Sequence, residues 1–155
     1  GKPVTASAAP IQGDLSLITD GRKEGLDGAY VELGPGPQSI QIDLGERHEI
    51  YAVAVWHYFQ DHRAYKSVVA LAADDPDFTR NVTVIYNADL ENTLGWGAGT
   101  DKAWVQSHHG RLMVPPNQVA VGRYVRLYSD GSTSGDTNEY IEVEVYGAPA
   151  RADGF

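Results

Sequence analysis

The chain has 155 residues, 42% of them hydrophobic and 21% charged, which suits one domain with a proper core and excludes a disordered polymer. Its 12 Lys and Arg stand against 21 Asp and Glu, a formal net charge of −9 with His neutral. That balance argues against nucleic acid or an anionic membrane as partner, and the absence of Cys excludes disulfides, thiolate zinc sites and thiol catalysis together.

In chain order, the opening "GKPVTAS" reads as the start of a processed or excised chain. No apolar run approaches the roughly 18 residues needed to cross a bilayer, so no membrane insertion is expected. "ITDGRKEGLDG" sets Asp20, Glu24 and Asp27 in one Gly-punctuated turn. Such carboxylates repel unless a cation or a basic partner offsets them: Ca²⁺, with its appetite for about six to eight oxygens, or the neighbouring Arg22 and Lys23. "LGPGPQ" is a Gly/Pro turn, and after it the signal is period two throughout. "SIQIDLG" alternates Ile40, Ile42 and Leu44 against polar residues, and "IYAVAVW" (Ile50–Trp56) follows as a second strand.

Between that strand and "YKSVVALAA" (Tyr65–Ala73) lies "VWHYFQDHRAY", a connection with no Gly or Pro, filled with aromatic and basic side chains. Turns are ordinarily made from Gly, Asn, Asp, Ser and Pro, so this loop carries a purpose beyond turning. Trp56 and Phe59 read as strand end and loop anchor. Tyr58 offers a ring face, and Asp61, His62 and Arg63 offer hydrogen bonds. "DDPDF" suggests a single turn capped by Asp75, and "VTVIY" (Val82–Tyr86) is a further strand. Asn87 to Gly110 is a long irregular stretch holding Trp96 and Trp104. Trp96, between Gly95 and Gly97, is either a platform turned outward for ring stacking or a staple folded inward. "RLMV", "RYVRLY" and "YIEVEVYG" complete a set of seven short strands. The loop Asp130–Asn138 between the last two is a polar turn with Asn138 and Glu139 as minor contacts, and 148–155 is a tail. Seven or more short strands without long helices imply one all-β domain over 1–147, an antiparallel sandwich. No Ser elbow, phosphate loop or metal helix is present, and the paired His residues lack zinc-ligand spacing.

Four strings in order, "GKPVTAS", "ITDG", "IQIDLG" and "GRYVRLYSDGST" followed by "YIEVEVYG", resemble the discoidin (coagulation factor type C) superfamily across residues 1–147. The resemblance implies an eight-stranded jelly-roll β-sandwich with ligand loops gathered at one end. Bacterial relatives are mostly family 32 carbohydrate-binding modules attached to secreted glycoside hydrolases. It therefore implies a non-catalytic module that binds a glycan, in an extracellular or periplasmic protein with other domains; a protein-interaction module using the same loops is the alternative, and a glycoside-processing domain a weaker one. His62 and Arg63 match the polar contacts of sugar-binding relatives, with Tyr58, Asp61 and Trp96 beside them. Asp20 and Glu142, with Asp27, match a structural Ca²⁺ site. The chain departs from the family in lacking the flanking Cys pair, in having Tyr30 where a Trp follows the Asp-Gly loop, in "ADDPDF", and in the length of Asn87–Gly110.

Overall fold

The runs "SIQIDLG" and "IYAVAVW" form one 19-residue strand. The structure, a computed structural model, describes residues 1–58, 63–105 and 109–151. Among these residues the strands are β1 (Val4–Ala6), β2 (Val31–Leu33), β3 (Gln38–Trp56), β4 (Ala64–Tyr65), β5 (Val69–Ala73), β6 (Thr83–Asn87), β7 (Trp104–Val105), β8 (Arg111–Met113), β9 (Ala120–Ser129), β10 (Asn138–Tyr140) and β11 (Glu142–Pro149). Short 3-10 turns at Leu15–Thr19 and Pro116–Gln118 complete the set. No described helix is long and apolar enough to cross a membrane.

β3 serves both layers of an antiparallel sandwich. Its register shifts between Asp43 and His48, where Gly45 takes φ +90° and donates its amide to Asp43 Oδ1 at 2.8 Å. A residue with a Cβ resists that φ, so Gly is the residue that lets the strand bulge and bend there. The first half pairs with β1 and β9, and the order β1-β3-β9-β5-β6 builds one layer. The second half pairs with β11, from Glu142 against Trp56 to Pro149 against His48, and with β8 from Val53 against Met113 to Val55 against Arg111. Between the layers lie fully buried residues such as Ile40, Ile42, Leu127, Val125 and Val53, the inward members of the alternating runs.

Two departures from simple alternation matter. β5 is buried on both faces: Val69, Leu71 and Ala73 form a second cluster with Phe78, against which Leu94 and Trp96 pack. The 87–103 stretch thus folds over the outer face of the sheet. It is tied by Asp89, which is buried and accepts the amides of Thr93 and Leu94, and by Asn87, whose side chain donates to the Gly97 carbonyl. The second departure is the run Asn138–Val143, buried at every position. The expected wet face of "YIEVEVYG" fails at Glu142, because the Asp-Gly loop covers it and Gly21 donates its amide to Glu142 Oε2 at 2.9 Å. "DDPDF" is a turn rather than a helix. Asp75 accepts the amides of Thr79 and Arg80 and the Thr79 hydroxyl, which hold its carboxyl down at about 2, the Thr79 hydroxyl most of all.

Candidate ligand-binding site

The strand end at Trp56 and the start of β4 bring the opening and closing residues of the aromatic loop onto β10. His57 is buried, and its Nδ1 donates to the Glu139 carbonyl at 2.8 Å. A carbonyl only accepts, so the proton sits on Nδ1. Burial pushes the imidazole down to about 4, and it is neutral at physiological pH. Its ring stacks on Tyr65 at 4.2 Å between centroids and meets Trp104 edge-on at 5.6 Å. The Tyr65 hydroxyl donates to the Tyr58 carbonyl at 2.9 Å. This packing replaces the missing turn residues: the loop's ends are fixed by buried rings rather than by Gly or Pro.

On this base sits a more open polar group. Arg63 Nη1 donates to Glu139 Oε1 at 2.5 Å, with the two side chains 14% and 2% exposed. The Arg63 guanidinium lies 4.9 Å from the Tyr58 ring centroid, and Tyr58 packs on Tyr30 at 4.8 Å. Both tyrosines are half-buried. Burial, with Glu32 adding to it, raises the Glu139 carboxyl against the opposing pull of Thr137 and Arg63, and the adjacent guanidinium favours its charged form. Glu139 Oε2 has no partner among the described residues. The result is a ring face beside a guanidinium held in place by a buried carboxylate, which offers a hydroxylated ring an apolar surface with donors next to it.

The structure brings Tyr58 and Arg63 together. Asp61, His62 and Phe59 lie outside the described residues. Trp96 is half-buried on the outer-face cluster with Val69 and Leu71, apart from the cluster that Tyr58 joins, and Trp104 is fully buried in the main core. Glu139, a minor contact by sequence, and Tyr30 make up much of the patch, and His57, to which the sequence assigned no part, supports it. Asn138 is structural: its Oδ1 accepts from Ser129 and Gly131, and its Nδ2 donates to the carbonyls of Gly34 and Gly36.

At the carboxylate loop, Asp20 is exposed and accepts the Arg22 amide at 2.9 Å. Glu142 is 2% exposed, and its Oε1 has no partner among the described residues. Burial, with Asp20 and Glu144 adding to it against the pull of the Gly21 amide, pushes the Glu142 carboxyl up to about 7. Asp27 is exposed on the next turn of the loop, at φ +54°. Lys23 is spent elsewhere, 3.3 Å from Glu144 and over the Trp56 ring. No three His, Cys, Asp or Glu among the described residues converge on one point. The orphaned, buried oxygen of Glu142 beside Asp20 nonetheless suits a hard cation whose remaining ligands are backbone carbonyls.

The molecule is thus an antiparallel β-sandwich whose loop end carries an aromatic and guanidinium patch. No protein-family model and no curated protein matches the sequence, but solved structures do match the fold. The family 32 carbohydrate-binding module of AlyQ, in complex with 4,5-unsaturated mannuronic acid, superposes with a TM-score of 0.69 at 21% identity, covering 93% of both chains. The family 32 module of C. perfringens NanJ, in complex with galactose, gives 0.66 at 12%, over 92% of this chain and 91% of that one. A Clostridium perfringens enzyme, CpGH89, in complex with GlcNAc-alpha-1,4-galactose, gives 0.68 at 18%; 97% of this chain covers 14% of that one. The chain has the discoidin-like, galactose-binding-like β-sandwich fold of family 32 carbohydrate-binding modules.

Proposed function

We propose that the chain is a non-catalytic carbohydrate-binding module that takes a glycan on the loop between β3 and β4. Tyr58 supplies the ring face and Arg63 the donors, with Asp61 and His62 from the same loop as further polar contacts. The observation that carries the reading is the Tyr58–Arg63–Glu139 patch, on a fold shared with modules solved with sugars. The share of CpGH89 that the chain covers supports a role as one module of a larger enzyme. Affinity electrophoresis through gels of soluble polysaccharides tests it. At least one neutral glycan is expected to retard the protein, and Tyr58→Ala to weaken that binding about tenfold, a difference of about 1.4 kcal/mol. Unretarded migration in every gel would sink the reading.

Asp20 and Glu142 are proposed to hold a structural Ca²⁺ that braces the Asp-Gly loop and supplies no chemistry to a ligand. Asp27 joins them if the loop's second turn swings in. Without an ion, the folded carboxyl of Glu142 titrates at about 7, above its ordinary 4.5. That proton favours folding at low pH, and its contribution is lost as pH rises through 7. Calcium has to displace the proton, so the stabilisation it gives is full above about pH 7 and shrinks as pH falls toward 4.5. His57 acts in the opposite sense, stabilising fully above 6.5 and less as pH falls toward 4, but it is present with and without calcium and cancels in the difference. Melting curves with calcium and with a chelator, from pH 8 to pH 5, are expected to converge as pH falls. Identical curves at pH 8 would remove the site.

A further inference from the structure

We propose that Glu139 sets the ligand class of this site: by matching the charge of Arg63 from inside the fold, it makes the patch one for uncharged hexopyranosides and against uronates. The inference rests on the carbohydrate-binding reading and adds to it which sugars are admitted. Arg63 is the only described cation paired with this patch, and its charge is met by Glu139 Oε1 at 2.5 Å, with both side chains largely out of solvent. An acidic sugar would therefore find a guanidinium already neutralised. Glu32 adds a second negative charge that acts on both Tyr30 and Glu139, so the described charges at the patch total one positive and two negative.

The loop residues 59–62 contain no Lys or Arg, one Asp and one His. Two basic side chains of neighbouring described segments are committed elsewhere. Arg111 is turned onto the Tyr86 and Trp104 rings and donates to the Ala103 carbonyl, while Lys23 lies over Trp56 beside Glu144. Glu139 Oε2 is buried and has no partner among the described residues, so its negative charge acts on the patch through space. Such a charge repels another carboxylate and leaves a neutral hydroxyl undisturbed. The −9 net charge of the chain works in the same direction at longer range.

The test uses matched pairs that differ only at C6: methyl glycosides of galactose and galacturonate, glucose and glucuronate, mannose and mannuronate, measured by calorimetry. For whichever pair binds, the neutral member is expected to bind at least about tenfold more tightly at low salt. Raising the ionic strength from about 0.02 M to about 0.5 M should narrow that gap, because screening weakens repulsion between charges and leaves a neutral ligand untouched. Glu139→Gln, which keeps an acceptor for Arg63, is expected to raise the uronate-to-neutral affinity ratio at least about fivefold. The salt series on the unmodified protein decides the matter if that variant does not fold. A uronate bound as tightly as its neutral partner, or a gap indifferent to salt, overturns the assignment alone. No binding to any of the six overturns the carbohydrate-binding reading, and this inference with it.

Discussion

Arg63→Ala is expected to cost the fold about 3–5 kcal/mol, far more than a surface arginine on a loop would. The reason is the state of Glu139, which the substitution leaves behind. Glu139 is 1% exposed, one carboxylate oxygen has no partner among the described residues, and the other is held by Arg63, with the Tyr65 hydroxyl at 3.4 Å besides. Removing the guanidinium strands a buried charge that must either protonate or drag water inward. Chemical denaturation of the two proteins side by side checks it, and a loss below about 1 kcal/mol would mean that the pair is solvated. The expected loss also bears on how binding data are read. Arg63→Ala weakens the fold as well as the ligand contact, so weaker sugar binding by that variant does not separate the two roles, whereas Tyr58→Ala does.

Trp104→Ala is the other large effect, again about 3–5 kcal/mol, because a fully buried indole leaves a cavity that rigid neighbours do not fill. Trp104 is the inner end of the long excursion after β6. It pairs with Tyr65 across the β4–β7 ladder, meets Tyr86 edge-on at 5.4 Å and His57 at 5.6 Å, and carries Arg111 on its face. The excursion is held to the sandwich at this point, so the truncation should loosen the loop end as a whole. A second readout follows from His57, whose imidazole is held near 4 by burial. Water entering the Trp104 cavity relieves that burial, and the His57 titration followed by nuclear magnetic resonance should move up toward 6.5. An unchanged titration together with a small stability loss would show that Trp104 does not seal this corner.

Where one face of a strand is wet, the sequence was easy to read. Ile40, Ile42 and Leu44 point inward as their alternation requires. Reading failed where both faces are covered. Nothing in "YIEVEVYG" tells that Glu142 is buried, because the cover comes from the Asp-Gly loop more than a hundred residues earlier, through the Gly21 amide. Glu139 read only as a minor contact for the same reason: its partner Arg63 is 76 residues away, and a lone Glu entering a strand looks like a solvated one. The unbroken apolar run "SVVALAA" did carry a signal of double burial, and Trp96 with Leu94 supplies the outer cover. The division of the aromatic loop into anchors and contacts was legible in kind, since rings without Gly or Pro must fix the chain by packing. Trp56 ends its strand buried, as its place in the sequence suggested; the further anchor, His57, was not read, and it takes that part because Glu139 offers it a carbonyl.

The most direct measurement is a crystal structure of the protein soaked with the neutral glycan that retards it most in the gels. A sugar ring lying on Tyr58, with a hydroxyl accepting from Arg63, is the result expected. A sugar bound instead against Trp96 on the outer face of β5, or along β11, with the Tyr58–Arg63 patch left to water, would contradict the account.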